Sequence, residues 1–270
     1  MTRRLTSQQP APSVYEWPFF AWVYALSLPI WITNPFLHSD LLPDHLPLLD
    51  ALGTFVATIA ACILVYQQRG LDDVKNLLWR AFDARRVQHP YYWVFSIAIM
   101  PLLVALTYLI SVQMNLIKAG SWLPDSSTLI ALVLFLVAAA GEEIGYTGYA
   151  TDRLLRRYSL WQVALLVGVL HAVWHYPSMF QIGQSVGLML TGTLFTIAVR
   201  IVMVWLYRET GSVCLTIVFH AMGNTARSCF PGGRAAFEQH DAVVGYGVIV
   251  TLAIVIIVAD TIRNRSSTRS

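Results

Sequence analysis

The sequence predicts an all-α, polytopic membrane protein: a bundle of about eight transmembrane helices with a polar intramembrane cavity. Three observations predict it. Of the 270 residues, 56% are hydrophobic and only 12% charged, with a mean hydropathy of +0.58, whereas soluble domains carry about 25% charged residues. Apolar runs recur at about the 20-residue length that crosses a bilayer at 1.5 Å per residue. The few ionisable residues inside those runs fall at helical spacings, as they would if several helices turned polar stripes toward one another.

The elements follow in order. Residues 1–16 form a polar cytoplasmic leader containing Arg3 and Arg4. No small-residue cleavage site follows the first apolar stretch, so that stretch reads as a retained span rather than a removed signal. Spans are expected near 17–36, 48–67, 91–113, 128–150, 160–180, 185–207, 211–226 and 242–261, with a cytoplasmic tail at 262–270. Between the second and third, Leu71 to Arg86 places Leu71, Val74, Leu78 and Phe82 on one face. That pattern fits either an amphipathic helix on the inner membrane surface or an ordinary connecting helix. With the N-terminus inside, fourteen Lys and Arg fall in inner segments and three in outer ones, while Arg200 lies within a span. The positive-inside rule then puts both termini in the cytoplasm of what reads as a multi-pass protein of a bacterial cell membrane. Residues 1–270 read as a single integral membrane domain, with membrane lipids as its surroundings. The net charge of +3 gives no sign of a nucleic-acid partner. Cys62, Cys214 and Cys229 show neither a disulfide framework nor a metal motif and read as apolar fillers.

Two adjacent carboxylates, Glu142 and Glu143, end the apolar run of the fourth span. A carboxylate in hydrocarbon is costly unless it is paired, protonated or facing a wet cavity, so the pair marks a functional site. Other polar groups sit at matching spacings. Glu143 shares a face with Thr147, His171 with His175 on the fifth span, and His220 with Asn224 on the seventh. Packing three polar stripes against one another satisfies each at lower cost than burying them separately. Gly141, Gly145 and Gly148 form a small-residue stripe, and Gly168 and Gly223 flank the histidines. All are expected to let the helices approach closely. Arg200 is either a snorkelling side chain or the counter-charge of the acidic pair.

Glutamates, histidines and an asparagine together suit amide hydrolysis by an activated water. A buried carboxylate can serve as the base, and an Asn amide as a donor to an oxyanion. Metal is the other option. His171 and His175 have a zinc-ligand spacing but lack the glutamate of HExxH. A set of His175, His220 and Glu142 would leave zinc or another divalent metal open to water. The residues alone leave this choice open against a metal-free water held by Glu142 and His175.

The arrangement resembles the CPBP family of intramembrane proteases, which includes CAAX-processing endoproteases and relatives linked to bacteriocin processing and self-immunity. The family pattern is EExxxR, then FxxxH, then HxxxN on successive helices. Here it reads Gly141-Glu-Glu-Ile-Gly-Tyr-Thr-Gly148, His171-Ala-Val-Trp-His-Tyr-Pro177 and His220-Ala-Met-Gly-Asn224. The likeness covers residues 125–226, a catalytic core. It implies an intramembrane endopeptidase acting on a peptide or membrane-anchored protein. Glu142 would be its base, and His175 would help hold the water. His220 and Asn224 would stabilise the tetrahedral intermediate or complete a metal site, and Glu143 would be structural. Two positions depart from the pattern: Thr147 stands for Arg and His171 for Phe. Arg200 is the best substitute for the missing cation. A degenerate relative that binds or confers immunity without cleaving is one alternative. A proton-coupled transporter is the other, though no internal repeat supports it. Span counting also leaves Glu142 and His175 about 13 Å apart in depth, which calls for tilt or a break near Gly141–Gly148 or Pro177.

Overall fold

The computed structural model describes residues 16–36, 50–120, 126–234, 237 and 242–267. Residues 1–15 of the expected 1–16 leader and the last three residues of the tail lie outside them. The described residues fold as helices α1 (Glu16–Thr33), α2 (Val56–Arg69), α3 (Leu71–Trp79), α4 (Tyr91–Gln113), α5 (Ser126–Gly145), α6 (Leu160–Gln181), α7 (Val186–Thr210), α8 (Val213–Ser228) and α9 (Ala242–Ser267). Six stretches are long and apolar enough to cross a membrane: Ala51–Arg69, Tyr91–Gln113, Thr128–Leu154, Leu160–Gln181, Val186–Thr210 and Val244–Arg263. The first and seventh expected spans are helices as well, of 18 and 16 residues, but are not among the six. Large apolar side chains such as Leu102, Leu109, Leu134, Leu194 and Val255 stay exposed on the outer faces of these helices. A soluble protein rarely leaves so much apolar surface open, and lipid is the solvent that such faces fit.

Local chemistry sets the breaks between helices. Ser185 caps α7 by accepting the Leu188 N–H, and the Gln162 side chain accepts the Ser159 N–H at the start of α6. Gly211 closes α7 with φ +68°, and Ser212 then caps α8 through the Leu215 N–H. The three cysteines are free thiols.

Helix α5 packs against α2 and α8, α6 against α7, α7 against α9, and α8 against α4. Small residues permit some of these contacts. A Cβ on Gly145 would lie 2.3 Å from the Ala57 carbonyl oxygen of α2, and one on Gly168 would lie 2.9 Å from the Ile197 Cα of α7. Gly223 faces Met100 of α4. Gly145, Gly168 and Gly223 therefore admit flanking helices α2, α7 and α4, while a Cβ on Gly148 would lie 3.4 Å from Val213 of α8, one of the three polar helices. Two large apolar clusters result, beside a smaller one around Ala139, Val213 and Ile217. One joins Phe19 and Val23 of α1 to Ala60, Tyr149 and Val167, and the other joins Met100, Val202, Leu206, Phe219 and Ile249.

The surface element Leu71–Arg86 is α3 followed by two 3₁₀ turns, Arg80–Phe82 and Ala84–Arg86. Its buried face is Val74 and Leu77, while Leu71, Leu78 and Phe82 are exposed. Val74 of the expected apolar face thus turns inward with Leu77, which seats against Gly148, while Leu71, Leu78 and Phe82 stay on the open side. The same element grips two others. Arg80 donates to the Gly148 carbonyl at 2.6 Å and bonds Tyr207, which in turn bonds Asp152. The Asp83 carboxylate accepts from the Ser212 hydroxyl and from the Val213 and Cys214 N–H groups, capping α8 from outside.

Candidate active site

Helix α5 does not stop at its glycines. It continues through a π-helical turn, Tyr146–Thr151, to Leu154, so that Thr128–Leu154 forms one 27-residue stretch. A π turn widens the helix and frees a backbone acceptor, here the Gly148 carbonyl that Arg80 takes. The extra length removes the depth mismatch. Counted from the turn between Leu154 and Leu160, Glu142 lies about 18 Å and His175 about 22 Å along their helices. Both the longer helix and the break in its winding belong to the stretch where the sequence called for an irregularity.

The two carboxylates project to different partners. Glu143 is fully enclosed, at 0% exposure, and both of its oxygens are taken. Arg200 of α7, itself 1% exposed, donates Nη1 to Oε2 at 2.7 Å and Nη2 to Oε1 at 2.8 Å. The Thr147 hydroxyl donates to Oε2 at 2.6 Å, and His220 Nδ1 lies 2.9 Å from Oε1. Arg200 is thus the counter-charge and not a snorkelling side chain. It occupies, from another helix, the chemical role that Thr147 cannot fill. A bidentate guanidinium–carboxylate pair is the strong form of such a contact.

Glu142 is held far less. His171 Nε2 faces its Oε2 at 3.0 Å, off the linear hydrogen-bond direction, and neither atom has another partner. Its Oε1 makes no hydrogen bond among the described residues, and 7% of the residue stays exposed. On its other side, His171 Nδ1 lies 3.0 Å from Arg200 Nη2. The His171 ring packs at a tilt against Tyr146, 4.4 Å between centroids, and against His175, 4.9 Å, and Tyr146 also lies under the Arg200 guanidinium. His175 itself has no hydrogen-bond partner among the described residues. Among the described residues Asn224 makes no hydrogen bond to the carboxylates; its Oδ1 accepts from Arg227 Nη2 at 2.5 Å.

Two trios bring ligand-type atoms within 4.8 Å of one another: Glu142 with His171 and His175, and Glu142 with Glu143 and His220. The trio of Glu142, His175 and His220 expected from the sequence is divided between them, with Glu142 common to both.

Helix α1, which no sequence signal linked to the site, supplies part of its wall. Phe19 packs against Tyr146 and Tyr149, Tyr24 donates to the Leu170 carbonyl, and Ser27 accepts from Trp174 Nε1 at 2.6 Å. These are isolated aromatic and hydroxyl residues in an apolar run, without charge or spacing to mark them.

A helical bundle of membrane-spanning length with an enclosed Glu–Glu–Arg–His cluster defines an integral, multi-pass membrane protein carrying a buried acid–base centre. Residues 124–226 match the family model of type II CAAX prenyl endopeptidase Rce1-like proteins. The chain is also similar to CAAX prenyl protease 2 of Methanococcus maripaludis, at 25% identity over 271 residues covering 95% of this chain and 96% of that protein. Both likenesses are to CAAX prenyl proteases, and they support the resemblance to the CPBP/CAAX protease family. The resemblance suggests a peptidase.

Proposed function

We propose that the chain is an intramembrane endopeptidase in which Glu142 activates a water against a peptide bond of a membrane-anchored protein. The observation that carries this reading is the open Glu142 carboxylate beside three histidines, next to a Glu143 that is already saturated. Glu142 takes a proton from the water as its oxygen attacks the scissile carbonyl carbon, while His175 holds that water. The carbonyl electron pair becomes an oxyanion received by Asn224, beside His220, whose Nδ1 donates to Glu143 and whose other nitrogen stays an acceptor. Arg227 occupies the Asn224 oxygen, which leaves the amide N–H groups to donate. The intermediate then collapses, the C–N bond breaks, and Glu142 returns its proton to the leaving amine.

We read the centre as working without a resident metal, and bond accounting supports this. Arg200 can only donate, so His171 Nδ1 accepts and its proton sits on Nε2, which removes His171 from the first trio as a ligand. Glu143 already accepts four donors, one of them a guanidinium bound through two nitrogens, which spoils the second. The groups with lone pairs to spare are Glu142, His175 and His220, and these three do not meet as a set within 4.8 Å. Ligands of one zinc lie at most about 4.2 Å apart, twice a metal–ligand distance of about 2.1 Å, whereas partners of one water can stand about 5.6 Å apart.

The charge count supports both termini in the cytoplasm, and residues 125–226 serve as the catalytic core of one integral domain. The ground for a degenerate binding relative was the missing motif arginine, and Arg200 serving Glu143 weakens it. The test is cleavage of a lipid-anchored, fluorogenic peptide in vesicles by the purified chain. Glu142→Gln should lower the rate by about 10²–10⁴-fold, the worth of a general base, and a chelator should leave the wild type unchanged. Cleavage by Glu142→Gln at the wild-type rate overturns the reading.

A further inference from the structure

His171 stands where the family pattern has Phe, and its surroundings give that histidine a task. It is 4% exposed, and each of its ring nitrogens faces one charged residue at 3.0 Å: Nδ1 faces Arg200 Nη2 and Nε2 faces Glu142 Oε2. The rings of Tyr146 and His175 pack against it at centroid distances of 4.4 and 4.9 Å. Arg200 has no acceptor atom, so the imidazole must present its Nδ1 lone pair to the guanidinium and its Nε2 proton to the carboxylate. The same guanidinium that saturates Glu143 therefore sets the tautomer that meets Glu142. Phenylalanine at this position would fill the same space against Tyr146 but could neither accept from Arg200 nor donate to Glu142.

We propose that His171 is a positioning residue of this enzyme: its Nε2–H, held in one tautomer by Arg200, anchors Oε2 of Glu142 so that Oε1 is turned toward the water. The inference rests on the peptidase reading above, with Glu142 as base. It links α7 to the reacting carboxylate of α5 through a ring on α6. It also explains why the two departures from the family pattern occur together, since Arg200 both replaces the motif cation and gives His171 its orientation. The remaining charged or titratable groups around Glu142 are Glu143 on its own helix, His175 on α6, Arg200 on α7, His220 on α8 and Tyr146 of the π turn. Of these, none donates a hydrogen bond to Glu142.

The experiment compares kcat and KM of wild type, His171→Phe, His171→Gln and His171→Asn with the fluorogenic lipid-anchored peptide in vesicles, alongside Glu142→Gln. The amide nitrogen of Gln reaches the place of Nε2, whereas that of Asn reaches only the place of Nδ1. His171→Phe should lower kcat about 10- to 100-fold with KM within twofold. His171→Gln should recover kcat to within about threefold of wild type, and His171→Asn should not. Wild-type kcat in His171→Phe, or equal kcat in the Gln and Asn variants, overturns the proposal. The Gln–Asn contrast decides it even if the Phe variant does not fold. An inactive Glu142→Gln beside a fully active His171→Phe defeats this inference alone, whereas an active Glu142→Gln defeats the peptidase reading and the inference with it.

Discussion

The two sides of α5 at the level of the acidic pair treat neighbouring residues in opposite ways. Toward α7 and α8, Glu143 meets a bidentate guanidinium, a hydroxyl and an imidazole. Toward α6, Glu142 meets one imidazole at an imperfect angle, and among the described residues neither of its oxygens makes a well-formed hydrogen bond. Burying a carboxylate costs several kcal/mol unless its partners compensate. The Glu143 side compensates fully and so contributes a fixed framework. The Glu142 side does not, and the deficit is what a base that must exchange protons requires. Structure and chemistry are divided between consecutive residues by which helix each one faces.

The comparison breaks most severely by exchanging the two roles. Glu142→Gln should abolish cleavage, a loss of about 10²–10⁴-fold, while unfolding in detergent, followed by tryptophan fluorescence, stays at the wild-type midpoint. Glu143→Gln should do the reverse in stability, because it leaves a buried Arg200 without its anion. A Glu142 variant that unfolds as readily as the Glu143 variant would erase the distinction.

Next in size is the pair itself. Arg200→Leu leaves Glu143 enclosed and uncompensated, which costs about 3–5 kcal/mol when one partner of a buried pair is removed. The midpoint of unfolding should fall accordingly. Thr147→Arg in that background should recover part of the loss, because position 147 lies one turn after Glu143 on the same face. An Arg200→Leu protein as stable as wild type would show that the guanidinium is not the counter-charge.

A third effect tests the framework away from the pair. A Cβ on Gly145 meets the Ala57 carbonyl oxygen at 2.3 Å, and backbone cannot move aside as a side chain can. Gly145→Ala should therefore cost about 1–3 kcal/mol as α2 is pushed from α5. Gly247→Ala on α9, with open space around it, should be neutral or gain up to about 1 kcal/mol from helix propensity. Equal effects at the two glycines would mean that the α2–α5 contact is not tight.

Much of the site could be read from the chain because membrane burial makes polar residues conspicuous. Glu142, Glu143, His175 and His220 stand out against apolar runs, and Arg200 stands out as a cation within a span. Their helical spacing gave the shared faces, and the family motif gave the order. Two things were hidden. An irregularity near Gly141–Gly148 was expected, but not that the π turn carries α5 on to Leu154, and this displaced the depth estimate. The wall built by Phe19, Tyr24 and Ser27 uses residue types that occur in any span, so only the packing of α1 against α6 and the π turn reveals it. Asn224 was marked correctly as a polar neighbour of His220 on one face, but its bond to Arg227 depends on the end of α8 and could not be read from spacing.

The smallest effect sharpens the comparison most finely. Thr147→Val keeps the shape of the side chain and deletes one donor to Glu143 Oε2, which still has Arg200 Nη1 at 2.7 Å. A hydrogen bond to a charged group contributes about 1.5–3 kcal/mol, and because Oε2 keeps its stronger partner the cost should fall near the lower figure. The loss should appear as a modest fall in unfolding midpoint with kcat unchanged, since Thr147 bonds the framework carboxylate and makes no bond to the reacting one. A fall in kcat without a fall in stability would mean that the two carboxylates share their hydrogen bonds after all, and that the division between framework and base runs elsewhere.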